Sequence, residues 1–140
     1  MSPEIMALFT AAFWGIGGFF EKKGLVLGNL PPLAGIFIRT AVAAVVLGIA
    51  AHRKFPALKQ AGWKSITLLV VFGGIMAGSL GMLFFYKAIK TGELSRVMPI
   101  AFTSPLFGAA AAIIFAGEAI TLKKILGIVL TISGIVVLTI

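Results

Sequence analysis

Apolar stretches of 16 to 21 residues recur five times along the 140-residue chain, at residues 5–20, 33–51, 66–86, 97–115 and 125–140. A bilayer core about 30 Å thick takes about 20 residues of helix at 1.5 Å per residue. The second, third and fourth stretches reach that length, and the first and last reach it once flanking residues are added. The runs are too long for barrel strands and do not alternate in polarity, so helix is the expected form. The expected class is an all-α polytopic membrane protein with five transmembrane helices, forming one domain over residues 1–140.

Composition names the same solvent. Hydrophobic residues make up 60% of the chain and charged residues 11%, against about a quarter charged in soluble globular proteins. Mean hydropathy is +1.14. So little polar surface cannot cover a body in water, and the partner of most of the surface is the lipid bilayer of the cell membrane. The connections, residues 21–32, 52–65, 87–96 and 117–124, are too short for a soluble domain. The first cation, Lys22, follows the first apolar run, so that run is expected to remain as a helix and not to be cleaved as a signal.

The net charge of +8 would suggest nucleic acid in a soluble protein. Here the cations sit in short clusters between apolar stretches, and the aromatic residues lie inside those stretches. Lipid headgroups are the expected counter-charge, and no nucleic-acid partner is expected. An odd number of spans puts the termini on opposite sides. One side then receives six cations (Arg53, Lys54, Lys59, Lys64, Lys123, Lys124) and the other five (Lys22, Lys23, Lys87, Lys90, Arg96). Orientation is set by a bias in this count, and six against five leaves almost none. The last stretch runs to Ile140 without an anchor. Either its carboxylate marks the interface, or a natural sequence continues beyond it.

The residue inventory argues against an enzyme. There is no cysteine, and the single histidine, His52, lies beside Arg53 and Lys54 in a polar loop. The four carboxylates, Glu4, Glu21, Glu93 and Glu118, fall near expected helix ends. Glu21, followed by Lys22 and Lys23, reads as a solvated helix end. No nucleophile–base pair or phosphate-binding glycine loop is present. Gly15, Gly17 and Gly18 lie inside an apolar helix with no preceding strand, so they read as packing residues. No metal or cofactor is expected.

Several residues are nonetheless out of place for plain lipid-facing helix. Arg39 is the only charge well inside a span, about seven residues or 10 Å from the start of its helix. It either snorkels to the nearer interface or faces the interior toward an anion or carboxylate. Thr10, Trp14, Gly18 and Glu21 fall near one helical face. Trp14 sits mid-helix, where it packs in the core or walls a cavity. Trp63 and Tyr86 bracket the third stretch like interfacial belts. Within that stretch Gly74, Gly78 and Gly81 share a face by the i, i+4, i+7 rule.

The fourth stretch contains Pro99 and Pro105, with Thr103 and Ser104 before the second proline. Each proline frees a carbonyl, which in lipid needs a neighbour or a cavity. A packing kink and a binding site are both open readings. In the fifth stretch Gly127, Thr131 and Gly134 share a face, which serves packing within the chain or an interface between chains.

Taken together, these residues resemble the EamA-type unit of the drug/metabolite transporter superfamily. The resemblance is carried by Phe13-Trp14-Gly15, by Ile38-Arg39, and by an ordered series toward the C-terminus. That series is Gly92-Glu93-Leu94-Ser95, Met98-Pro99, Ser104-Pro105-Leu106-Phe107, Gly117-Glu118-Ala119-Ile120-Thr121, Gly127 and Gly134. It covers nearly the whole chain. The resemblance implies a five-helix repeat, usually found twice in one ten-helix polypeptide with the halves inverted. It also implies a central cavity lined mainly by helices one, three and four of each half. Family substrates include amino acids, other metabolites and drugs, commonly exported. A chain with one unit is similar to the single-repeat members, for which a homodimer restores the full fold. The last helix also resembles the dimer-forming helix of small multidrug transporters. Those carry a membrane-embedded glutamate in the first helix for proton coupling, and no carboxylate lies near the middle of the first helix here.

The expected function is therefore a secondary transporter of small organic solutes, working as an antiparallel homodimer. Trp14 and Tyr86 would offer aromatic surface, Arg39 an electrostatic contact, and Pro99, Thr103 and Ser104 an irregular polar wall. Gly127, Thr131 and Gly134 would lie in the dimer interface. The alternatives are a non-transporting assembly partner of another membrane protein, or a subunit of a lipid-linked sugar flippase.

Overall fold

A computed structural model describes residues 1–139, predominantly helical, with no strand among the described residues. Ile140, the last residue of the fifth apolar stretch, lies outside the described residues. The chain forms two compact units, Met1–Thr91 and Gly92 onward.

The first unit opens with α1, Pro3–Leu27. Ser2 caps it by accepting a hydrogen bond from the Ile5 amide at 3.4 Å, and Pro3 supplies a preset φ at the first position. The helix continues seven residues past the apolar run. Glu21, Lys22 and Lys23 are good helix formers, and the backbone ladder is indifferent to where apolar side chains stop. It ends where Gly28 donates back to Gly24 O, Asn29 takes φ 44°, and Leu30 donates to Leu25 O at 3.0 Å. Pro31, extended, then launches α2, Pro32–Ala51. A single 3-10 turn, His52–Lys54, and a short helix α3, Pro56–Gln60, form the basic connection.

The third span runs through three segments: α4, Gly62–Leu68; a π-helix, Leu69–Gly81; and α5, Met82–Thr91. In the π segment each turn closes on the residue five earlier. The Ser79 hydroxyl donates to Gly74 O at 3.0 Å, and Gly78 lies so close to Gly73 O that a Cβ there would sit 3.0 Å from it. Stacked neighbours are thus five apart, and the i, i+4, i+7 face expected for Gly74, Gly78 and Gly81 does not form.

The second unit holds α6, Leu94–Ala101; α7, Ser104–Ala116; and α8, Leu122–Thr139. The fourth apolar stretch is broken between α6 and α7. Pro105 disfavours helical geometry at the residue before it and lacks an amide to continue the ladder. Phe102 instead donates to Met98 O and Thr103 to Ile100 O. Gly117, at φ 66°, ends α7 in the left-handed conformation. Thr121 starts α8 by accepting the Lys124 amide at 3.2 Å.

Four helical stretches among the described residues are long and apolar enough to cross a membrane: Pro3–Leu27, Pro32–Lys54, Gly62–Thr91 and Leu94–Ala116. Their side chains are turned outward to an extent no aqueous protein tolerates. Phe13, Phe37, Phe84 and Phe115 are all at least 70% exposed. The buried apolar core is small and lies in the first unit, at Leu25, Tyr86 and Ile89. This is a multi-pass membrane protein.

Candidate functional site

The core of the first unit places a polar cluster where α1, α2 and α5 pack together. On α1, Trp14, Gly18, Glu21 and Leu25 follow at three- and four-residue spacing and form one stripe. Gly18 and Leu25 are buried, and Glu21 is half-buried between them. On α2, Gly35 lets the neighbouring elements close in. A Cβ there would lie 2.5 Å from Leu25 Cδ2 and 2.9 Å from Tyr86 Cε1. One turn further, Arg39 reaches across to α1.

Arg39 Nε lies 2.8 Å from Glu21 Oε1, and Arg39 Nη1 donates to Met82 Sδ at 2.9 Å. The Tyr86 hydroxyl donates to the Glu21 carboxylate as well. The expected carboxylate partner of Arg39 is therefore a residue of the same chain. Glu21 is not the solvated helix end that its charged neighbours suggested, because the helix continues to Leu27. Tyr86 does not face the interface either: its ring is 2% exposed, while Trp63 remains 81% exposed.

The pairing has a simple electrostatic logic. A lone cation well inside a membrane span costs a few kcal/mol on insertion scales. A carboxylate held at 2.8 Å cancels that charge, and a thioether and a phenol fill the remaining sides. The result is a net-neutral but strongly dipolar patch, with side-chain exposures of 38% for Arg39 and 24% for Glu21. Such a patch offers a solute both a cationic and an anionic contact. Trp14 lies two turns before Glu21 on the same stripe and is 54% exposed.

The remaining site residues belong to the second unit. Pro99 sits inside α6, Thr103 closes the break by donating from its hydroxyl to Ile100 O at 2.8 Å, and Ser104 is exposed as the first residue of α7. Gly127 and Thr131 line a groove with Thr103 along α7 and α8, whereas Gly134 is exposed outside it. A Cβ at Gly127 or Gly134 would meet no atom within 4 Å. Packing within the chain does not require glycine at either position. Sequence reasoning missed Glu21, Gly35 and Met82 as members of the cluster.

Comparison with known proteins decides the class. The EamA-like transporter family profile matches residues 1–140. The chain belongs to the EamA-like transporter family. Relatives of this EamA-like protein fall into two lengths. An uncharacterized protein of Methanocaldococcus jannaschii is 29% identical over 97% of the chain and 95% of its own length. An uncharacterized transporter of Sinorhizobium is 25% identical, covering 99% of the chain and 97% of the relative. The uncharacterized transporter YvbV of Bacillus subtilis is 26% identical over 94% of the chain but only 42% of its own length. No solved structure matches the chain. The EamA-like chain is thus a membrane transporter of the cell membrane.

Proposed function

We propose that the protein exports small organic solutes such as amino acids or drugs, by alternating access at the interface of an antiparallel homodimer. The fifth span would be α8, whose 18 residues give about 27 Å of helix. With five spans the termini lie on opposite sides, and the cations divide six to five between the two faces. That near-equality carries the proposal, because a chain without a charge bias inserts in both orientations. Two oppositely inserted copies reproduce the inverted-repeat arrangement from which many secondary transporters are built. A relative more than twice as long as the matched segment, beside two of equal length, fits a unit used singly or in tandem.

In this reading Arg39, Glu21 and Trp14 of the first unit contact the substrate, with the buried Tyr86 supporting the Glu21 carboxylate from behind. Pro99, Thr103 and Ser104 are the contacts offered by the second unit. Gly127, Thr131 and Gly134 face the partner copy, which accounts for glycines that the chain's own packing does not need. Adding two lysines to the connection 52–65, or in a second variant to the connection 28–31, should lock opposite orientations. Each locked form should be inactive alone in proteoliposomes, and co-expression should restore transport. Transport by either locked form alone refutes the antiparallel dimer. Absence of transport by the unmodified purified chain would favour an assembly partner or flippase subunit instead.

A further inference from the structure

The third span combines an unusual winding with a fixed end. Over the 13 residues Leu69–Gly81 its hydrogen bonds skip five residues, whereas such winding ordinarily occupies a single turn inside an α-helix. Every residue of the segment is exposed and none belongs to the core. No buried side chain within it therefore enforces the winding. Its glycines permit it instead. A Cβ at Gly78 would stand 3.0 Å from Gly73 O, and one at Gly81 would stand 3.4 Å from Met76 O. Both contacts are to the carbonyl five residues earlier, which stacks below only in this winding; in α-helix that place belongs to the carbonyl four earlier.

The fixed end lies downstream. α5 begins at Met82, directly after the segment. Met82 Sδ accepts from Arg39, the Tyr86 hydroxyl donates to Glu21, and Tyr86 and Ile89 are buried. The phase at which α5 leaves the π segment turns these side chains toward α1 and α2. Each residue advances about 100° in an α-helix and about 80° where hydrogen bonds skip five. Rewinding one turn of four residues swings α5 by roughly 80°, and a group 5–6 Å from its axis moves about 7 Å. Neither hydrogen bond to the cluster survives such a displacement.

We propose that the π segment is the moving part of the third span. Rewinding part of it to α-helix turns α5 and draws Met82 and Tyr86 away from Arg39 and Glu21, which opens the ion pair to a solute. The cluster holds α5 in the phase that the π winding supplies, and the backbone's ordinary preference for α-helix opposes it. Two discrete packings held in such opposition make a switch. Gly78 acts as a positioning residue, through the winding and without touching the cluster. The role toward a solute rests on the substrate contact proposed above; the rewinding itself does not.

Distances between spin labels in the full chain in lipid nanodiscs test this, with labelled protein diluted into unlabelled protein to exclude distances between copies. The chain has no native cysteine. Labels at Phe37→Cys on α2 and Phe84→Cys on α5, both lipid-facing positions, should give a main distance and a second one several ångström away. Gly78→Ala should raise the second population about fivefold, the low end of the effect of an overpacked contact. Gly73→Ala, whose Cβ meets no atom within 4 Å, should leave it unchanged. Met82→Leu, which keeps the volume but removes the acceptor of Arg39, should raise it as well. A reference pair on α1 and α2, Phe13→Cys with Val45→Cys, should hold its distance throughout, which also shows that each variant is folded. One unchanged distance in Gly78→Ala and Met82→Leu overturns the proposal. So does an equal rise in Gly73→Ala, which would trace the change to helix propensity and not to the winding. The distances are read without transport, so their failure is separate from failure of the substrate contact.

Discussion

Gly35 is the point where the polar cluster is most exposed to a single added atom. Leu25 and Tyr86, both 2% exposed, close over it. A methyl at Gly35 would fall 2.5 Å from Leu25 Cδ2, and 2.9 and 3.2 Å from Tyr86 Cε1 and Cδ1. Neither neighbour has open space to retreat into. Overpacking a closed core costs about 1–3 kcal/mol, offset by the gain of about 0.8–1 kcal/mol in helix propensity from glycine to alanine. At Gly48, on the same helix, an added methyl would meet no atom within 4 Å, so Gly48→Ala collects the propensity gain alone. Reversible unfolding in mixed micelles should therefore rank Gly48→Ala above Gly35→Ala by about 1–3 kcal/mol. Adding Leu25→Ala to Gly35→Ala should recover part of the loss, with a coupling of about 0.5–3 kcal/mol. Equal stability of the two glycine variants, or strict additivity with Leu25→Ala, would refute the close packing of α1, α2 and α5 at this point.

Two further predictions address the site itself. Glu21→Gln should destabilise the protein by about 1–3 kcal/mol, between the ~0–1 kcal/mol of an exposed pair and the ~3–5 kcal/mol of a fully buried one, because both side chains are only partly buried. It should also reduce transport, whereas Arg39→Lys should retain part of the function, since an ammonium can meet Glu21 but lacks the planar fork that also reaches Met82. Full transport by Arg39→Ala would show that the cluster is dispensable. If the break between α6 and α7 borders an aqueous path, Ser104→Cys should react with a water-soluble maleimide faster than Val136→Cys in intact membranes. The chain has no native cysteine, so labelling is read against a clean background. Equal rates remove Ser104 from the site.

Much of the architecture was legible because lipid imposes length and polarity on any helix that crosses it. The break at Pro105 was legible for the same reason, since proline is conspicuous in a span. Arg39 stood out as a charge among apolar residues. Its partner did not, because Glu21 sits in a charged triplet that resembles the end of a span. Chain symmetry could have found it: Glu21 and Arg39 are nearly equidistant from the turn at Gly28–Pro31, so an antiparallel helix pair sets them at one depth. Gly35 carries no local signature, since glycines are frequent in membrane helices and only the facing side chains make this one necessary. The π-helix was hidden as well. Its hydrogen bonds skip five residues, and the apolar pattern of Leu69–Gly81 is too uniform to reveal any period.

The lengths of the helices joined by the cluster exceed what a bilayer requires. α1 has 25 residues, about 38 Å, and the third span has 30, which would be about 45 Å as α-helix throughout. The hydrocarbon core is about 30 Å thick. Tilt and protruding charged ends can absorb such an excess, and in the third span the π segment Leu69–Gly81 shortens the rise per residue. Because Glu21, Arg39 and Tyr86 bind α1, α2 and α5 to one another, a tilt in any one of them is imposed on the others. Hydrophobic mismatch thus acts on the three helices as a body, and a membrane of different thickness reorients the dipolar patch without touching it.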